Sequence, residues 1–483
     1  MDPLITPKTH ILNSAFFPES VAVVGASDQP VSFGYHFLKH LLDYKYAGKI
    51  YPVNPKKETL LGLKCYPTLI AVPGDVEFVI CCLPNDKVLP MLDECAIKNV
   101  KIVHLFTARL GETGRTAAAE LEKQILLKAR QYGIRLVGPN CMGIYCSASG
   151  IAFAYDLPCE VGKIGVVSQS GGAATLLMQQ GSLLGLRFSK AVSYGNALDL
   201  DACDILEYFI DDDQTDIIAA YFEGTRDGDR FIDVLRRAAA RKPVVAVKGG
   251  RGRSGTRATA SHTAAIAGAH NIWQTVFRQT GVMEVKNFEE MINLLQLFYR
   301  LPPIYGNRAA IMGGGGGKAV IAADLAEEVG LEVPPVTDDM RARLKAAVPD
   351  IWDWLGNPVD TSIFSDYGLT FGELPEIFEE SPEYDFIIIQ SSEENPMDDD
   401  LWVNLVKGDV DLTINAFKRG KKPIISVLGG GKAGLTEMQN IRWRTLAEQK
   451  SKVVKEGMPV FGTMGEAVTA MGQYVRYWQR RLL

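Results

Sequence analysis

The feature that most constrains this chain is a repeated alternation. Short runs rich in Val, Ile and Ala, such as "SVAVVGAS", "VEFVICCLP" and "GKIGVVSQS", are separated by helical patterns such as "FGYHFLKHLLDY" and "TAAAELEKQILLKARQYG". Strands that are apolar throughout need cover on both faces. The pattern therefore predicts an α/β protein of parallel sheets covered by helices. Three times a strand ends in small residues that feed a helix: "VVGAS", "VVSQSGG" and "IMGGGGG". Ligands of open α/β sheets bind beyond the carboxyl ends of strands, so each of these places is a candidate site.

With 483 residues the chain has room for about three domains of ~150 residues. Residues 1–150 carry strands at "SVAVVGAS", "KIYPVNP", "VEFVICCLP", "VKIVHLFT" and "IRLVGPN", and a loop-like passage near 145–160 closes the block. Residues 151–303 add "GKIGVVSQSGG", "KAVSYG", "DIIAAYFEG" and "PVVAVKGG". Residues 304–483 follow the linker "LPPIYGN" and contain "RAAIMGGGGGKAV", "DFIIIQSS" and "PIISVLGGG".

Composition removes several function classes. A net charge of −6 offers no basic surface for nucleic acid or an anionic membrane. Eight cysteines without a CxxC pair, two of them adjacent (Cys81 and Cys82), point to reduced thiols in a cytoplasmic protein. "MDPLITPKTHILN" lacks the basic-then-apolar order of a signal peptide, and no apolar run approaches the ~20 residues of a membrane span.

In "VAVVGASDQPVSFG", Gly25 and Ser27 leave room for a ligand's phosphates before a helix start, although the stretch is not GxGxxG. The next strand leads into "VNPKKE", where Lys56 and Lys57 stand in place of an acidic ribose ligand. A plain tight turn explains the stretch equally well. In "VVSQSGG", Ser168, Ser170, Gly171 and Gly172 offer hydroxyls and amides where a helix begins, which suits either an anion or an ordinary serine cap. "IMGGGGGKAV" is not a P-loop, because Met312 and Ala319 stand where Gly and Ser or Thr are needed. Its glycines suit close backbone packing or a tight turn.

Glu223 ends the strand "DIIAAYFEG" and reads either as a solvated strand end or as a functional carboxylate. His262 lies in "ATASHTAAIAG", among small residues that let another molecule approach, and after the basic run "GGRGRSGTR". A histidine can act as base, metal ligand or nucleophile. Metal spacing is lacking around His262, since the next histidine, His270, is eight residues away.

Taken in order, "FFPESVAVVGAS", "YPVNPK", "VGPNCMG", "GKIGVVSQSGG", "VSYGNALDLDACDILEYF", "AYFEG", "KPVVAVKGGRGRSG" and "SHTAAIAG" resemble the α subunit of the NDP-forming acyl-CoA synthetases. That superfamily includes succinyl-CoA synthetase and the ADP-forming acetyl-CoA synthetases. The resemblance implies a Rossmann-like CoA-binding domain followed by two flavodoxin-like parallel-sheet ligase domains. By motif position it implies His262 as phosphoryl carrier and Glu223 as the carboxylate that holds the imidazole. The helix start at Ser168, Ser170, Gly171 and Gly172, with Asn140, would bind phosphate. Gly25, Ser27, Val53, Lys56, Leu83, Pro84, Phe106 and Thr107 would line coenzyme A. The chain departs from the family's "GFxExG" at "ARLGETG", where Arg109 replaces a small or apolar residue near the pantetheine end.

The implied reaction joins a small carboxylic acid to CoA at the expense of ATP, through acyl phosphate and phosphohistidine. The ATP-grasp domains that handle ATP/ADP and Mg2+ are expected on a β subunit, in an α2β2 assembly. Two alternatives remain at this level: an acyl or carbamoyl transferase that never meets ATP, and a noncatalytic CoA-binding regulatory protein. The His262–Glu223 pair argues against the second of these, because binding alone does not need it.

Overall fold

A computed structural model describes residues 10–255, 257, 270–349, 351–360, 374–391, 398–429 and 440–482. The chain divides into two compact units, Met1–Met291 and Ile292–Leu483.

The first unit holds two sheets. The leading sheet is built from β1 (Ser20–Val24), β2 (Lys49–Val53), β3 (Phe78–Cys81), β4 (Ile102–Leu105) and β5 (Arg135–Val137). Its order is β2-β1-β3-β4-β5, all parallel. Helices α1 (Phe33–Asp43), α2 (Val88–Ile97) and α3 (Thr116–Gln131) connect these strands. Every residue of β1, β3 and β4 is buried, which is why those runs read as continuously apolar. Val79, Cys81, Val103 and Leu105 pack with Met91 and Leu92 of α2 and with Ile125 and Ala129 of α3.

The second sheet contains β6 (Gly143–Cys146), β7 (Ile164–Ser168), β8 (Phe188–Ser193), β9 (Ile217–Phe222), β10 (Val244–Lys248) and β11 (Met283–Val285). Its order is β11-β10-β9-β7-β8-β6. From β7 onward this is the 2-1-3-4-5 order of flavodoxin-like sheets. Helices α4 (Gly171–Leu183), α5 (Ala202–Asp211), α6 (Gly228–Arg241) and α7 (His270–Thr280) accompany it.

One passage differs from its sequence reading. The stretch taken as a loop near 145–160 begins with β6, which pairs antiparallel with β8. Four residues are too few for a periodic signal, and their pairing is fixed by a strand more than 40 positions away. A Cβ on Gly143 would fall 2.4 Å from the His104 ring, so this strand starts in direct contact with the leading sheet.

The second unit has a parallel sheet in the order β12 (Ala309–Met312), β13 (Phe386–Gln390), β14 (Ile424–Val427), β15 (Val460–Phe461). Helix α8 (Gly315–Glu328) follows the glycine run, and α9 (Met464–Gln479) follows β15. Gly313 and Gly314 have φ of +94° and +89°, and a Cβ on Gly313 would lie 2.4 Å from the Gln390 carbonyl oxygen. The glycines thus serve close packing and a tight turn together. No helix among the described residues is long and apolar enough to cross a membrane. The eight cysteines are free thiols.

Candidate functional site

The carboxyl ends of the leading sheet form one continuous row. Chain order reverses between β1 and β3, so the switch point lies beside Gly25 and Leu83. Gly25 has φ +86°, and a Cβ there would meet the Cys82 carbonyl at 3.0 Å. Across the turn, a Cβ on Gly34 would fall 2.1 Å from the Gly25 oxygen, so α1 starts directly on the strand end. The Gly25 N–H donates to Val53 at 3.1 Å, and the Asn140 N–H donates to Thr107 at 2.9 Å. The Thr107 hydroxyl donates to the Leu83 carbonyl at 2.8 Å. These links bring Gly25, Val53, Leu83, Thr107 and Asn140 to one edge.

Not all of the expected side chains are free to meet a ligand there. Thr107 is buried and its hydroxyl is already committed. Ser27 accepts the Gln29 N–H at 3.0 Å and sits on the exposed turn. Pro84 is exposed, and Phe106 is half-buried against Phe33 with ring centroids 4.2 Å apart. Lys57 is paired with Asp28 at 2.6 Å, whereas the exposed Lys56 has no ion pair among the described residues. Its backbone N–H donates to the Asn54 side chain at 2.9 Å, which holds the main chain there, and the side chain is exposed.

The second sheet has its own switch point, between β7 and β9. Ser168–Gly172 leaves β7 there and Glu223 leaves β9, so two sequence candidates meet at one crevice. Ser170 caps α4 by accepting the Ala173 N–H at 3.3 Å. The buried Ser168 hydroxyl donates to the Ser170 carbonyl at 2.6 Å. A Cβ on Gly171 would lie 2.3 Å from Met142, while a Cβ on Gly172 would meet nothing. The serine cap and the close packing are therefore both realised, and the first turn of α4 is open at Gly172.

Glu223 is not a solvated strand end. It is 5% exposed, and its Oε1 accepts the Tyr221 hydroxyl at 3.2 Å. Its Oε2 is buried without a hydrogen-bond partner among the described residues. The Glu223 and Gly224 amides both donate to Gln169 Oε1, at 2.8 and 3.1 Å. The Lys248 ammonium donates to the Glu223 carbonyl at 2.8 Å. His262 lies outside the described residues, as do the small residues on either side of it.

The stretch "YGNAL" joins the two edges. Asn196 and Leu198 donate their N–H groups to Pro139 at 3.0 Å and Gly138 at 2.9 Å. The Asn196 amide donates to Glu112 at 2.9 Å, and Arg226 donates to the Asn196 carbonyl at 3.0 Å. Tyr194 is buried with its hydroxyl unpartnered among the described residues, and burial, then the charges of Asp201 and Glu223, push that hydroxyl's pKa up. Arg109, the departure from the family pattern, is exposed at φ +67° on the turn that Glu112 holds.

Sequence reasoning missed Gln169, Lys248, Tyr194 and Asn196 as parts of this site. Lys248 carried the same signal as Glu223, a charge ending an apolar strand. Gln169 stood inside a motif read only for its serines and glycines.

Residues 19–147 match a family of CoA binding domains, and residues 161–298 match the succinyl-CoA ligase like flavodoxin domain. The two sheets thus define the class: a CoA-binding module followed by a ligase-type flavodoxin module. The chain is 36% identical over 378 residues to the acetate–CoA ligase (ADP-forming) II subunit alpha of Pyrococcus furiosus, covering 78% of this chain and 82% of that one. It is also 36% identical over 346 residues to the acetate–CoA ligase (ADP-forming) of Methanocaldococcus jannaschii, covering 71% of this chain and 48% of the relative. Among solved structures it is similar to the dinucleotide forming acetyl-coenzyme A synthetase 1 of Ca. Korarchaeum cryptofilum in complex with phosphate and ADP. That match has a TM-score of 0.82 and 30% identity, covering 98% of this chain and 99% of the other. The chain belongs to the NDP-forming acyl-CoA synthetase family.

Proposed function

We propose that this chain is the α subunit of an NDP-forming acyl-CoA synthetase. It interconverts carboxylate, CoA and ATP with acyl-CoA, ADP and phosphate. Phosphate attacks the acyl-CoA thioester, giving acyl phosphate and CoA. His262 then takes the phosphoryl group as the carboxylate leaves, and ADP takes it from the histidine. Nucleophilic relay of this kind splits one hard transfer into two easier ones.

The observation that carries this reading is the buried Oε2 of Glu223, without a hydrogen-bond partner among the described residues, at the switch point shared with the start of α4. A buried acceptor without a partner costs about 1–3 kcal/mol, so it calls for an N–H donor. An imidazole N–H supplies one, and the contact leaves the other ring nitrogen unprotonated for attack. The amides at Gly171 and Gly172 would stabilise the phosphoryl charge together with the helix dipole. Ser168 shapes that turn through its own hydrogen bond, Ser170 caps it, and Asn140 lies across the joined edges.

On this reading residues 1–150 bind CoA, 151–303 carry the phosphohistidine and 304–483 form the second ligase domain. Gly25, Val53 and Leu83 shape the CoA crevice. Ser27, Pro84, Phe106 and the Thr107 backbone border it, and Lys56 faces the CoA phosphates. ATP/ADP and Mg2+ bind an ATP-grasp β subunit, in an α2β2 assembly in the cytoplasm. The α-subunit naming of the Pyrococcus relative supports a separate partner. The test is labelling with the partner and γ-labelled ATP: the chain acquires an acid-labile, base-stable phosphoryl group, and His262→Ala acquires none. A labelled His262→Ala protein rejects the assignment.

A further inference from the structure

Lys248 is the last residue of β10 and only 2% exposed. Burying an ammonium is costly unless its protons are used. Here they are spent on main chain: one goes to the Glu223 carbonyl at 2.8 Å and another to the Gly249 carbonyl. The ammonium also lies 5.0 Å from the centroid of the Trp273 ring of α7. Phe222 and Lys248 are register partners, and the Gly249 N–H returns to the Phe222 carbonyl at 2.8 Å. On the opposite side of Glu223, Gln169 receives both amides of the Glu223–Gly224 turn. The peptide units on both sides of Glu223 are therefore held, and its side chain leaves a fixed base.

We propose that Lys248 is a positioning residue for the phosphoryl transfer, anchoring the main chain of Glu223 and lending positive charge to its carboxylate, with Gln169 as the opposite anchor. This rests on the reading of Glu223 as the imidazole's partner. A purely structural lysine would serve the turn equally well with any carboxylate geometry. A positioning lysine must move the pH dependence of the step that Glu223 serves.

Among the described residues, the charged groups acting on Lys248 are Glu223, which follows β9, and Glu284 from β11. His270 Nδ1 lies 3.8 Å from Glu284 Oε1. Burial lowers the Lys248 pKa to about 8, against the opposing pull of Glu223 and Glu284. Below that pH the ammonium donates to the Glu223 carbonyl. As pH rises through it, the amine keeps two N–H groups for the two carbonyls but loses its positive charge beside Glu223, and the step slows.

The test measures the rate of phosphohistidine formation from ATP, with the ATP-grasp partner present, as a function of pH. In the unaltered protein the rate falls as pH rises through about 8. Lys248→Arg keeps most of the neutral-pH rate and moves this alkaline limb upward, because a guanidinium does not lose its proton there. Lys248→Met loses roughly 10- to 100-fold at neutral pH, the scale expected for a misplaced reacting group, with CoA affinity unchanged. Should Lys248→Met unfold, the limb of Lys248→Arg decides. A limb that stays in place in Lys248→Arg, or unaltered kinetics in Lys248→Met, overturns the proposal. Glu223→Gln separates the two levels: a normal rate in that variant rejects the role of Glu223 itself, whereas a slow Glu223→Gln beside a normal Lys248→Met rejects only the role of Lys248.

Discussion

At the residue scale, the informative distinction is between side chains whose hydrogen-bonding capacity is spent and those that retain some. Thr107 and Ser168 both look like ligand-facing hydroxyls in the sequence, but each donates to a nearby carbonyl. Glu223 retains a buried oxygen without a partner among the described residues, and Lys56 retains a solvent-facing ammonium. Lys57, its neighbour, is paired with Asp28. Nothing in "KKE" separates the two lysines, since the partner of Lys57 lies 29 positions earlier. Lys56→Ala is expected to weaken CoA more than dephospho-CoA, by about 1–2 kcal/mol for the former. Titration calorimetry with both ligands checks this, and equal weakening removes Lys56 from the 3′-phosphate.

At the element scale, strands with continuous apolar runs were legible, as was the three-residue edge strand β5 in "IRLVGPN", whereas three other short edge strands were not. β1, β3, β7 and β9 announce themselves because both faces are covered. β6, β11 and β15 are two to four residues long, and their pairing depends on strands placed by the rest of the fold. β8 contains a feature that the apolar reading passes over. Lys190 and Asp212 are both fully buried, 2.8 Å apart, and Asp212 also accepts the Thr215 hydroxyl at 2.6 Å. Gln214 takes a further hydrogen bond from the Lys190 ammonium at 2.7 Å. Removing one member strands the other charge, so Lys190→Met is expected to cost about 3–5 kcal/mol. Urea unfolding measures it, and a loss below about 1 kcal/mol would mean that water reaches Asp212.

At the scale of the whole molecule, the two sheets of the first unit each end at a switch point, and "YGNAL" ties their edges through Pro139 and Gly138. ATP handling is assigned to a partner on the reading above. This chain alone, given labelled ATP and Mg2+, is therefore expected to stay unlabelled until the β subunit is added. Autoradiography after acid and base treatment reads the result, and labelling without a partner would place a nucleotide site on this chain.

The sequence by itself determined the α/β class, the stations along both sheet edges, and the candidacy of Glu223 and His262. It did so because strand burial, helix starts and glycine turns are local consequences of residue type. Tertiary structure alone decided which groups are available for chemistry. Partners brought together across tens of positions, such as Gln169 and Lys248 about Glu223, are invisible to periodicity. Burial depends on what packs above a strand end, so it turned Glu223 from a strand-end charge into an enclosed acceptor.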